Sequence, residues 1–183
     1  QAAYVDLPLV VHTLRASFST LGRFRDETFL HSELKPGTTG WQYRNLHADK
    51  VIFCEGAAMK DNPWFKHLPL KPAKGETLLC HSPTLRLPQK LYHHKKWFLP
   101  YPDGNFRIGA TYDESDLSDA PTQAKKDELL TAAHEALKKP HQVDVSAHLA
   151  GIRPSTIDSR PIIGAHPNNL GLYLVNGLGS KGA

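Results

Sequence analysis

No run of apolar residues approaches the ~20 that a bilayer-spanning helix requires, and the opening QAAYVDLPLVVHTL has neither a basic stretch nor a small-residue cleavage site. A membrane protein or an intact secretory precursor is therefore not expected. Cysteine is scarce: Cys54 and Cys80 are too few for a disulfide framework. Each lies in an apolar stretch, VIFCEG and TLLCHS, where a small buried thiol and a reducing cytoplasm are the expectation. Charge of one sign is also scarce. Lys and Arg number 22 against 18 Asp and Glu, a net +4, and apart from LysLys pairs at 95–96, 125–126 and 138–139 the basic residues are scattered, too weak a surplus for a nucleic-acid binder. The eleven His follow no metal-ligand spacing, so no metal site is expected. What remains is a chain of 183 residues, 40% hydrophobic, which excludes global disorder and allows one sizeable core.

The first periodic segment is Leu7–Leu21, where Val10, Leu14, Phe18 and Leu21 recur at helical spacing, Asp6 stands as N-cap and Gly22 as stop. Short extended runs follow near Thr28–His31, Trp41–Tyr43 and Val51–Cys54. From Pro69 the chain reads as an antiparallel sheet, with ProAspGlyAsn at 102–105 as a hairpin turn between KWFLPY and FRIGATY. A second helix is predicted over Pro121–Lys138, apolar at Ala124, Leu129, Leu130, Ala133 and Leu137, ended by Pro140. LeuTyrLeuVal at 172–175 is a strand running into a glycine-rich turn. These elements predict an α+β fold. Both chain ends are abrupt, which suggests a partial chain.

Gly177, Gly179 and Gly182 have the GxGxxG spacing of a dinucleotide fingerprint, but no helix, βαβ unit or acidic residue follows them. Arg153, in AGIRPST between a glycine and a proline, offers a planar fork suited to a carboxylate, or else pairs structurally with Asp158 or a backbone carbonyl. His93, His94, Lys95 and Lys96 form the densest basic run, either solvated or facing an RNA backbone. Lys74, in the ProAlaLysGly turn, is either a cofactor-side or a plain surface lysine. Glu55 stands before Gly56 where a small or apolar residue is expected.

Five blocks taken in order carry more than any one of them: ADKVIFCEGA (48–57), PLKPAKGE (69–76), DGNFRIGATYD (103–113), GIRPSTIDSRPIIG (151–164) and GLYLVNGLGSKG (171–182). Together they resemble the FAD-dependent D-amino-acid oxidase family, which includes glycine oxidase, sarcosine oxidase and the oxidase domain of the tRNA enzyme that modifies carboxymethylaminomethyl uridine. The resemblance implies a fragment lacking the N-terminal Rossmann segment. About 57–150 would form the antiparallel or mixed substrate-domain sheet with its flanking helix, and about 22–56 and 151–183 would join the FAD-binding half. It implies FAD as cofactor, held at Gly56, Ala57, Gly177, Leu178, Gly179, Ser180, Lys181 and Gly182. Arg153 becomes the substrate-carboxylate arginine, with Tyr112, Tyr92 and Trp97 as pocket walls. Leu178 departs from the His that many members carry there, and SerLys at 180–181 looks closer to the tRNA-modifying branch; tRNA enters as a partner only if that branch applies.

The implied reaction is hydride transfer from the carbon bearing an amine to flavin, followed by hydrolysis of the imine and reoxidation by dioxygen or another acceptor. The alternatives are a non-catalytic binding domain with a substrate-domain fold, and a nicotinamide-linked dehydrogenase, against which the missing acidic ribose ligand argues.

Overall fold

The computed structural model describes residues 5–85, 88, 90–137 and 142–179. They divide into two compact units, the first running to Leu70 and resuming at Thr156, the second spanning Lys71–Ser155. In the first unit, helix α1 (Leu7–Thr20) begins where Asp6 Oδ1 accepts from the Leu9 N–H at 3.1 Å and is followed by Gly22 at φ +65°. It buries none of its residues. The strand expected near Thr28–His31 does not form. Instead the Phe29 ring stacks on Tyr43 with centroids 4.4 Å apart and the Leu30 N–H donates to the Tyr43 hydroxyl. Side-chain packing replaces a ladder, and a helical turn His31–Glu33 follows.

Strands β1 (Leu34–Pro36), β2 (Trp41–Tyr43) and β3 (Leu46–Ala48) form an antiparallel meander. Strand β4 (Val51–Phe53) then enters a helical turn, Gly56–Asp61. Phe53 is buried and Cys54 beside it is exposed, correcting the expectation of two buried thiols: successive side chains leave an extended chain on opposite sides.

The second unit is a five-stranded antiparallel sheet backed by one helix. Its strands are β5 (Ala73–His81), β6 (Tyr92–His94), β7 (Lys96–Pro100), β8 (Asn105–Gly109) and, after helix α2 (Gln123–Leu137), β9 (Asp144–Arg153). The order across the sheet is β6-β7-β8-β5-β9. The β7–β8 connection is the predicted hairpin turn, with both Asp103 (φ +61°) and Gly104 (φ +75°) left-handed. Leu129, Ala132 and Ala133 of α2 pack on Leu78, Cys80, Phe98, Phe106 and Ile108. Ala124, expected on that face, is exposed because it lies five residues before Leu129, well round the helix from the buried side; Lys138, Lys139 and Pro140 lie outside the described residues. Burial pushes the Cys80 thiol up to about 11.

Strand β9 went unpredicted. Ala147, Ala150 and Gly151 blur its alternation, and it is held by its long register with β5, from Ala73 opposite Arg153 to His81 opposite Asp144. Back in the first unit, β10 (Ile162–Ala165) pairs antiparallel with β11 (Leu172–Asn176), which lies parallel to β4. Leu172 and Leu174 join Leu34, Trp41, Tyr43, Phe53, Met59 and Phe65 in a second core, where Trp41 Nε1 donates to the Leu170 carbonyl at 2.8 Å. Antiparallel and mixed sheets with helices are the α+β class expected from the sequence.

Leu129 is fully buried at the centre of the α2 contact. Its replacement by Ala is expected to cost about 2–5 kcal/mol of the second unit's stability, read from the shift of its urea unfolding midpoint.

Candidate functional site

Ligands of sheets with parallel strands bind beyond the strands' carboxyl ends. In the first unit β4 and β11 are parallel and both run into glycine turns. Gly56 (φ +57°), Gly177 (φ +73°) and Gly179 (φ +57°) all take left-handed backbone, which a side chain rarely tolerates. Asn176 ties the two turns together: it is buried, its Nδ2 donates to the Gly56 carbonyl at 2.8 Å, and its Oδ1 accepts from the Gly177 N–H at 2.8 Å. The predicted cofactor residues Gly56, Ala57, Gly177, Leu178 and Gly179 are thus brought to one end of one sheet. Ser180, Lys181 and Gly182 lie outside the described residues.

Glu55, anomalous in the sequence, secures the same turn. Its carboxylate lies 2.5 Å from His31 Nε2 and accepts from Asn62 Nδ2 at 2.7 Å, while Asn62 Oδ1 takes the Trp64 and Phe65 N–H groups. A small apolar residue there would leave the buried Asn62 amide without that acceptor.

In the second unit, residues opposite one another across the ladder share a face. Lys74, Glu76, Leu78 and Cys80 of β5 face α2; Ala73, Gly75, Thr77 and Leu79 line the other face together with Arg153, Gly151, Leu149, Gly109 and Trp97. Arg153 and Trp97, both predicted substrate residues, therefore lie on the face away from α2. A Cβ on Gly109 would stand 2.8 Å from Trp97 Cζ2, so the indole lies over bare backbone. Tyr92 belongs to the opposite face, packed against the α2 core. Tyr112 is 55% exposed, donates its hydroxyl to Glu114 at 3.0 Å, and interacts electrostatically with Arg153.

Arg153 itself is half-buried, and burial draws its pKa below the ordinary arginine value. Among the described residues it makes no ion pair; its Nη1 donates only to the Thr111 carbonyl, at 3.4 Å. Asp158, its alternative partner in the sequence, accepts from the Arg160 N–H instead.

Lys74 is not a plain surface lysine, one of the two expectations for it. It is 1% exposed, and its Nζ donates to Asp116 Oδ2 at 2.6 Å, Ser118 Oγ at 3.1 Å and the Ala120 carbonyl at 2.5 Å, with Glu76 Oε1 3.5 Å away. Glu76, equally buried, accepts from the Thr122 N–H and hydroxyl and lies 2.7 Å from His148 Nε2. This buried network pins the 113–122 segment beside Thr111. The basic run at 93–96 is also engaged: Lys95 pairs with Glu135 and Lys96 with Glu128 of α2, both at 2.7 Å. The sequence reading missed Gly75, Thr111 and Asn176; a glycine inside an apolar strand and an Asn directly before a glycine turn were the available signals.

Glycine turns at the ends of parallel strands in one unit, and an antiparallel sheet with a half-buried arginine in the other, define an α+β protein of two units. The FAD dependent oxidoreductase family matches residues 1–183, and the chain belongs to that family. Glycine oxidase of Pseudomonas aeruginosa is 28% identical over 183 aligned positions, covering 96% of this chain and 50% of that protein. The tRNA 5-methylaminomethyl-2-thiouridine biosynthesis bifunctional protein MnmC of Marinobacter nauticus is 31% identical over 155 positions, covering 76% of this chain and 24% of that protein. Among solved structures, iminodiacetate oxidase from Chelativorans sp. BNC1 superimposes with a TM-score of 0.66 at 26% identity, covering 82% of this chain and 44% of that one. The chain thus spans half or less of the length of these relatives. No helix among the described residues is long and apolar enough to cross a membrane.

The residues present fit the flavin that the family implies. Gly177 is buried, and a Cβ on it would meet Thr156 Cγ2 and the backbone of Arg160 and Ile162, so its bareness serves the turn itself; Gly56, tied to it through Asn176, and Gly179 are the partly exposed backbone that a flat ring can approach.

Asp116 supplies a pH test of the buried network. The Lys74 ammonium holds its carboxyl at about 2, below the ~3.9 of an unfolded aspartate. Its contribution to stability is therefore complete above about pH 4 and lost as the pH falls toward 2. Asp116→Asn is expected to flatten that acid limb in urea midpoints measured across it.

Proposed function

We propose that the flavin-loaded protein containing this chain is an oxidoreductase that oxidises the C–N bond of a small amino acid or secondary amine. The observation that carries this reading is Arg153: a half-buried guanidinium with no acidic partner among the described residues, on a sheet face lined by glycines. Such a fork is matched by a planar carboxylate, which supplies two acceptors and the missing negative charge. Family membership and the likeness to glycine oxidase support the same substrate class.

Bound flavin would supply the two-electron oxidation, as acceptor of the hydride on the carbon bearing the amine, with the amine's proton going to water and the resulting C=N bond open to hydrolysis. The chain's own residues orient and hold. Arg153 grips the carboxylate and so fixes the α-carbon. Tyr112 and Trp97 flank the substrate. Gly56, Ala57, Gly177, Leu178 and Gly179 are the described residues that would hold the flavin. A small molecule is favoured over tRNA because the densest basic run is already paired with the acids of α2.

In the flavin-loaded enzyme Arg153→Ala is expected to raise KM for an amino acid about 10- to 100-fold, the loss of a charge-assisted pair of hydrogen bonds. The methyl ester of the same amino acid should be little affected. Unchanged kcat/KM for the amino acid would remove Arg153 from the site, and a purified protein without flavin's visible absorption would favour a non-catalytic binding domain.

A further inference from the structure

Gly75 occupies the interior of β5 between Lys74 and Glu76, whose side chains point to the α2 side. On the opposite face its ladder partner is Gly151, and the next pair is Ala73 with Arg153. A Cβ built on Gly75 would overlap Nη1, Nη2 and Cζ of Arg153 together. The guanidinium therefore lies flat against this one bare α-carbon. The same construction on Gly151, directly across the ladder, meets nothing within 4 Å. The seat is specific to Gly75 and is not a general property of the glycines of this sheet.

Thr111 completes the seat. Its carbonyl takes Nη1 at 3.4 Å, and Thr111 is itself fixed to β5 twice: its N–H donates to the Glu76 carbonyl at 3.1 Å, and its Oγ1 accepts from the Glu76 N–H at 2.9 Å. One flat side of the guanidinium is thus closed by backbone and one donor is committed, so the remaining donors are presented as an edge.

We propose that Gly75 is a positioning residue for substrate recognition: its missing side chain lays the Arg153 fork down in the orientation that receives a carboxylate. The proposal rests on the reading of Arg153 as the carboxylate-binding group. Because the obstructing atoms are the far end of a flexible side chain, Gly75→Ala lets the chain fold and displaces only the guanidinium.

The test uses the flavin-loaded enzyme with Gly75→Ala, Arg153→Ala and the double variant, and Gly151→Ala as a folding control. KM and kcat are measured for an amino acid and its methyl ester, and the Kd of acetate is measured by equilibrium titration without turnover. Gly75→Ala is expected to raise the amino-acid KM and the acetate Kd about ten-fold or more, with kcat and the ester KM little changed. Its Tm should match that of Gly151→Ala. In the Arg153→Ala background Gly75→Ala should add nothing further, since its effect is exerted through the guanidinium. The proposal is overturned if Arg153→Ala weakens acetate and Gly75→Ala does not, or if Gly75→Ala weakens it equally in both backgrounds. Should Arg153→Ala itself leave acetate binding unchanged, the carboxylate reading of Arg153 falls, and the proposed role of Gly75 falls with it.

Discussion

A positive charge drawn partly out of water, with no carboxylate beside it, sets the terms for the second unit. Removing a guanidinium from solvent is unfavourable unless donors find acceptors and the charge finds a counter-charge. Arg153 has one backbone acceptor and electrostatic contact with an aromatic hydroxyl, and nothing more among the described residues. Four lysines of the same unit are matched with acids: Lys74 has Asp116 and Glu76, Lys95 has Glu135, Lys96 has Glu128, and Lys125 reaches Asp113 and Glu128. Beside those pairs the half-buried Arg153, with no acid against it among the described residues, is a local deficit of negative charge, which a bound anion is suited to fill.

The deficit is held in place by the alternation of a single strand. Successive residues of β5 serve opposite faces: Lys74, Glu76, Leu78 and Cys80 build the buried network and the α2 core, while Ala73, Gly75, Thr77 and Leu79 leave a low-relief surface on the other side. A shift of register by one residue would turn Gly75 against α2 and push a lysine and a glutamate into the place where Arg153 lies. The hydrophobic contact of α2 and the position of the arginine are therefore set by the same pleat. The Lys74–Asp116 and Glu76–Thr122 bonds extend that control to the segment after β8, whose Thr111 carbonyl receives the guanidinium.

Where local chemistry decides the structure, the sequence was legible. Asp6 and Gly22 bound α1, ProAspGlyAsn turns the chain between β7 and β8, and the last strand enters a glycine turn as its letters indicate. Where the partner is remote, it was not. Strand β9 owes its existence to a long register with β5 and has too many small residues to announce itself. The segment 28–31 has strand-like residues that are used for packing on Tyr43. Lys74 looked like a turn lysine because Asp116, Ser118 and Ala120, which enclose it, lie more than forty positions on. Arg153 could be nominated from its Gly and Pro neighbours, but the α-carbon beneath it belongs to another strand, and no spacing along the chain connects the two.

The parallel pairing of β4 with β11 brings a consequence for how the polypeptide is made. Gly56 and Asn176, whose bond joins the two turns, are 120 residues apart, and the whole second unit is translated between them. At about 5–20 residues per second the ribosome needs roughly 6–24 s to deliver the later strand. Throughout that interval one edge of β4 is unpaired, an adhesive margin for any other extended chain nearby. The intervening sheet, two of whose four ladders are hairpins and whose last strand ends at Arg153, can close within the wait. Its early completion would bring the two ends of the interrupted unit together before the last strand emerges.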